Sequence, residues 1–102
     1  MKGQPYNKLV RDGIPAKLDG MGVPYEKRIA TPEEYKAELI KKLGEEASEF
    51  AVAGDIEELA DALEVIESLK KIPEYEKVEE IRQKKRLERG GFEGRIILKG
   101  NK

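Results

Sequence analysis

The chain has 102 residues, 38% of them apolar and 40% charged, with 20 Lys and Arg against 21 Asp and Glu. It contains no Cys and no His, which excludes disulfides, thiolate or imidazole metal sites, thiol nucleophiles and Ser–His–Asp catalysis. One small domain spanning residues 1–102 is expected, and any metal it holds must be bound by oxygen, the preference of Mg²⁺, Mn²⁺ or Ca²⁺.

The first thirty residues are interrupted by Pro5, Gly13, Pro15, Gly20, Gly22 and Pro24. They leave room for a short helix around residues 14–18, with Pro15 in its first turn. VPYEKRIA, residues 23–30, reads as a short strand. A helix start follows: Thr31 can cap, Pro32 suits the first helical position and Glu34 completes a capping box. Tyr35, Leu39, Leu43, Ala47 and Phe50 then recur at helical spacing, carrying the helix to about Val52. Gly54 breaks it, and Asp55 caps a second helix. The stripe of that helix is Ile56, Leu59, Ala62, Leu63, Ile66 and Leu69, ended by Pro73. So short a connection forces the two helices to pack antiparallel.

A third helix fits residues 74–88, with a thin stripe of Tyr75, Val78 and Ile81 and a stop at Gly90-Gly91. RIILK, residues 95–99, reads as a strand, and residues 100–102 as a tail. The expected fold class is mainly α, an antiparallel helical bundle with a small β-hairpin from residues near 25–29 and 95–99. No apolar run is long enough to span a membrane, and the start of the chain lacks a signal-peptide core. A soluble cytoplasmic protein is expected.

The charge is unevenly distributed. Residues 43–69 hold nine acids and no base, while the rest of the chain holds 20 bases and 12 acids. On helical wheels, Glu46 sits at the edge of the Leu39/Leu43/Phe50 stripe, with Glu45 and Glu49 on the same flank. Glu58 and Asp61 lie one turn apart on the second helix, and Val65 continues their row. Such rows are half buried and can face each other across an antiparallel pair. Like charges at these spacings each destabilise a helix by roughly 0.2–0.5 kcal/mol. A solvated acidic face accounts for Glu57, Glu64 and Glu67, and capping accounts for Asp55 with Glu58. A bound divalent cation better accounts for two facing pairs at half-buried positions.

Cations gather at both ends. Lys8 and Arg11 lie in NKLVRD. Arg82, Lys84, Lys85, Arg86 and Arg89 lie in the third helix, where a solvated face is the simpler reading, and Arg95 follows the GGFEG turn. Arg and Lys bind phosphate by charge and forked hydrogen bonds. Nucleic acid is not an expected partner, because aromatic residues are scarce and no binding motif occurs. Phe92 and Tyr6 each read as a packing anchor or a ring on which a base could stack.

EExxE (Glu45, Glu46, Glu49) followed by ExxD (Glu58, Asp61) resembles the metal-binding signature of the all-α nucleoside triphosphate pyrophosphohydrolases. Three further stretches, YNKLVRD with Ile14-Pro15, EELADALEVI at 57–66 and RGGFE with Arg95-Ile96, are similar to a compact MazG-like subgroup, also described as phosphoribosyl-ATP pyrophosphohydrolase-like. The resemblance covers nearly the whole chain. It implies Mg²⁺, with Mn²⁺ as an alternative, held by Glu46, Glu49, Glu58 and Asp61. Glu45 would be a further ligand or the catalytic base that orients the attacking water. Lys8, Arg11 and Arg95 are candidates for substrate phosphate contacts. The implied reaction cleaves the α–β phosphate bond of a nucleotide to give NMP and pyrophosphate, as nucleotide-pool house-cleaning. The resemblance also implies a homodimer or higher homo-oligomer. Phosphoribosyl-ATP as substrate, or a non-catalytic helical protein-binding module, are the alternatives. Gly13 stands where members often carry a base, and the stretch between Glu49 and Glu58 is short for MazG itself.

Overall fold

The computed structural model describes residues 7–101, so Tyr6 and the last residue of the tail lie outside it. In chain order it contains α1 (Ile14–Gly20), α2 (Pro32–Ala53), α3 (Ile56–Lys70), a 3₁₀ turn (Pro73–Tyr75) and α4 (Val78–Arg89). The chain is mainly helical, as expected for the helical-bundle class.

The expected β-hairpin is a correction: among the described residues neither 25–29 nor 95–99 is a strand. A two-stranded ribbon is marginal unless a face is buried. Here Ile29, Ile96, Ile97 and Leu98 are all more than three-quarters exposed. Side chains of the first segment are engaged locally instead. The Tyr25 hydroxyl donates to Asp19, and Arg28 forks onto Glu34.

Contacts group the chain into two units, Met1–Leu69 and Lys70–Lys102. In the first, the start of α2 has the chemistry its sequence dictates. Thr31 Oγ1 accepts from the Glu34 backbone N–H at 3.2 Å, capping the helix. α2 ends at Gly54, whose N–H reaches the Phe50 carbonyl at 2.7 Å with φ 64° and ψ 19°. Asp55 then accepts from the Glu58 N–H at 3.0 Å and starts α3. Gly54 and Asp55 alone separate the two helices.

The face that α3 buries differs from the expected stripe. Among the described residues, the buried apolar side chains are Leu39 of α2 and Ala62 and Val65 of α3. Ile56, Leu59, Leu63 and Ile66 are exposed. A helical hairpin has one inner face per helix. On α3 that face carries Ala62 and Val65, with Glu58 and Asp61 beside them, and it leaves most of the wider apolar stripe outside. On α2 the corresponding row runs through Leu39, Leu43, Glu46 and Phe50, all buried or half buried.

In the second unit the expected single helix over 74–88 is divided. Pro73 lacks an N–H to donate, and residues 73–75 form a 3₁₀ turn before α4 begins at Val78. No residue of α4 is buried. Its cations bond locally, Arg82 to Glu79 at 2.9 Å and Arg86 to Glu93 at 2.8 Å.

The link at Gly54 yields a first expectation. A Cβ there meets nothing within 4 Å, so Gly54→Ala costs only the left-handed backbone penalty, about 1–2 kcal/mol. Urea unfolding is expected to show a lower midpoint at an unchanged slope.

Candidate metal centre

The carboxylates converge because α2 and α3 run antiparallel. The Glu46 carboxylate feels the charges of Glu49 and Asp61, and Glu58 feels Glu49, Asp55 and Asp61. Earlier α2 residues thus face later α3 residues. Glu46, Glu58 and Asp61 each offer an oxygen within 4.8 Å of the others. Glu49, on the rim, is near enough for its carboxylate to act on both Glu46 and Glu58. Four of the five acids of the EExxE and ExxD pattern, Glu46, Glu49, Glu58 and Asp61, therefore lie together.

Burial sharpens their chemistry. Glu46 is only 9% exposed. Its Oε2, and the Oε2 of Glu58, are buried with no hydrogen-bond partner among the described residues. Buried carboxylate oxygens are nearly always satisfied, so these two have acceptor capacity left for a group that can enter the cluster. Desolvation, followed by the nearby Glu49 charge, pushes the Glu46 carboxyl above its ordinary range. Glu58 is raised as well, by desolvation first and then by the neighbouring Glu49 carboxylate. Both effects disfavour the charged form.

The cluster is not without cations, although the acidic window itself holds none. Lys42, one residue outside that window, lies 3.8 Å from Glu46 at i,i+4. The i,i+4 spacing could have shown this in the sequence. Arg11 reaches across from the segment preceding α1 and donates from Nη2 to Asp61 Oδ1 at 2.8 Å. Lys8 and Leu9 line a depression of about 10 Å³ with Glu38, Lys41, Lys42 and Glu45, room for roughly one water. Glu45 thus lies beside the lysines, at the edge of the cluster and outside its closest triad. Two of the three candidate phosphate contacts, Lys8 and Arg11, come to the carboxylates. Arg95 belongs to the second unit, where its N–H closes a turn onto the Phe92 carbonyl at 3.0 Å with φ 55°. Glu57, Glu64 and Glu67 are exposed, as a solvated face requires.

The donor set is all oxygen, the ligand type that hard divalent cations take, and two of its atoms are buried without a hydrogen-bond partner among the described residues. Exposed acidic groups are common without an ion, and the orphaned oxygens are what set this cluster apart. Compared with known proteins, the chain matches no protein-family model, no curated protein and no solved structure. No described helix is long and apolar enough to cross a membrane.

The raised carboxyls make a prediction for the metal-free protein. An acid whose folded pKa exceeds its unfolded value binds its proton more tightly when folded. Stability is then lost as pH rises through the folded value and regained as pH falls through it. Glu34, Glu79 and Glu93 are lowered by Arg28, Arg82 and Arg86 respectively, and act in the opposite sense below the ordinary Glu range. In EDTA, the melting temperature is expected to rise as pH is lowered from above the range of the raised carboxyls toward the ordinary Glu range. Glu46→Gln is expected to flatten that rise, and an unaltered slope in the variant contradicts the assignment to Glu46.

Proposed function

We propose that the chain is a Mg²⁺-dependent nucleoside triphosphate pyrophosphohydrolase of the MazG-like kind. It would release pyrophosphate and NMP from non-standard or surplus nucleotides, and it would work as a homodimer or larger homo-oligomer. The observation that carries the reading is the pair of buried, unpartnered oxygens of Glu46 and Glu58, beside an Asp61 oxygen and under a rim of cations.

Glu46, Glu58 and Asp61 would hold the ion, with Glu49 as the fourth carboxylate of the cluster. Mg²⁺ bound there would polarise phosphoryl oxygens and lower the pKa of a bound water, and Mn²⁺ would serve similarly. Glu45, at the cluster edge, would serve as the base that orients the attacking water. Lys8 and Arg11 supply positive charge for a phosphate chain on the same side, Arg11 with a guanidinium fork that matches phosphate oxygens. The depression beside Glu45 has no room for a nucleobase. A second subunit is the simplest source of the remaining walls, and the exposed Ile56, Leu59, Leu63 and Ile66 of α3 offer it an apolar surface. The same surface would suit a helical protein-binding module, the reading to adopt if no nucleotide is cleaved.

The test is pyrophosphate release from a panel of nucleoside triphosphates that includes phosphoribosyl-ATP, with and without Mg²⁺. Cleavage confined to phosphoribosyl-ATP selects that substrate, and a folded protein inactive on all of them selects the binding module. In parallel, Mg²⁺ is expected to raise the melting temperature. Saturation at about 100 times Kd contributes about 2.7 kcal/mol, a shift on the order of ten degrees for a domain of this size. Glu49→Gln and Asp61→Asn are each expected to reduce that shift. Equal shifts in the wild type and both variants would reject the cluster as the metal site.

A further inference from the structure

We propose that Arg11 is a two-position residue. It occupies Asp61 while the carboxylate cluster is without metal, and it turns to the phosphates of the substrate when the cation takes Asp61. The proposal rests on the metal-site reading above.

The three close carboxylates are not equally available. Glu46 and Glu58 each have a buried oxygen without a partner. Asp61 instead accepts a hydrogen bond from Arg11 at 2.8 Å. A guanidinium and a divalent cation at one carboxylate compete for its charge and repel each other. Metal entry therefore weakens the Arg11–Asp61 contact, and an intact contact weakens metal binding.

The segment is built to let the side chain move. The Arg11 carbonyl accepts from the Ile14 N–H at 3.0 Å, which ties its backbone to the start of α1. The Arg11 side chain is 55% exposed and its partner 45%, so solvent surrounds the pair. Exposed ion pairs are weak, and a cation can displace one at a cost of only a few-fold in affinity. Lys42 lies one turn before Glu46 on the same helix, at 3.8 Å, and carries no guanidinium fork for phosphate. Once released, the Arg11 fork stands at the rim of a cation whose remaining ligands would be phosphate oxygens. Bidentate Arg–phosphate pairing is stronger than an exposed single contact to Asp61. Metal loading thus prepares the phosphate site, and the nucleotide follows the metal.

Such a residue has opposite effects on its two ligands, which a merely structural role does not. Mn²⁺ binding to the full chain is measured by calorimetry for the wild type, Arg11→Gln and Arg11→Lys. Inorganic pyrophosphate, added as its Mn²⁺ complex, is then titrated onto each Mn²⁺-loaded protein. Arg11→Gln is expected to bind Mn²⁺ about two- to fivefold more tightly and pyrophosphate about tenfold more weakly. Arg11→Lys, which keeps the charge without the fork, is expected to change both in the same directions by less, and it decides the matter should the Gln variant fail to fold. Unchanged or weaker Mn²⁺ binding in the variants, with the wild type binding Mn²⁺, overturns the proposal and leaves the metal site standing. Tighter Mn²⁺ binding with unaltered pyrophosphate affinity also overturns it, because the second position is then absent. No Mn²⁺ binding by any of the three proteins overturns the metal site and the proposal together.

Discussion

Two carboxylates set into the seam between α2 and α3 govern what the rest of the first unit must do. Glu46 occupies a place in the row of Leu39, Leu43 and Phe50, where hydrocarbon would pack better. Glu58 occupies the matching place ahead of Ala62 and Val65. Each has an oxygen with no partner. Burying a charge without pairing it is unfavourable, and a protein answers by neutralising the group, pairing it or coordinating a metal. All three answers are visible or prepared here. The carboxyls are raised toward the neutral form, Lys42 lies near Glu46, and oxygens of Glu46, Glu58 and Asp61 lie within 4.8 Å of one another, the arrangement on which the proposed metal site rests.

The N-terminal segment follows from the same constraint. A seam with four acids and one nearby lysine still attracts positive charge. Arg11 supplies it from fifty residues away in sequence, and Lys8 lines the depression beside Glu45. That cationic rim is useful to a phosphate-binding enzyme, yet its presence over the cluster has an electrostatic origin that needs no substrate. The structural role and the proposed catalytic role of Arg11 are therefore two uses of one attraction.

What the sequence made legible was local. Thr31 with Glu34, Gly54, and Asp55 with Glu58 each act within a few residues, so their chemistry could be read directly, and the antiparallel helices followed from the shortness of the link. The half-buried row of Glu58, Asp61 and Val65 was also legible, since a wheel places neighbours on one helix. The buried side of α3 was not. Periodicity ranks faces by hydrophobicity, and the most apolar stripe, Ile56 to Ile66, is not the one turned to α2. Which face turns inward depends on the partner helix, information outside any single window. The Arg11–Asp61 pair was hidden for the same reason. The β-hairpin expectation had the opposite fault: RIILK has strand-forming residues, but propensity forms no ladder where no apolar surface is covered.

This division of α3 reverses the usual economy of an amphipathic helix. The inner face carries the acids, and the outer face carries much of the hydrocarbon. Leucines at 46 and 58 would make a better hairpin, and a second apolar face left in water contributes nothing to a lone chain. Functional sites are where a fold breaks its own packing rules. Here the break has two sides that compensate each other in the proposed assembly. A cation in the seam supplies the cohesion that the missing leucines would have given. A second copy over Leu59, Leu63 and Ile66 supplies the core that the small first unit lacks. Both would stabilise only the folded state, so binding would supply what packing within one chain leaves out.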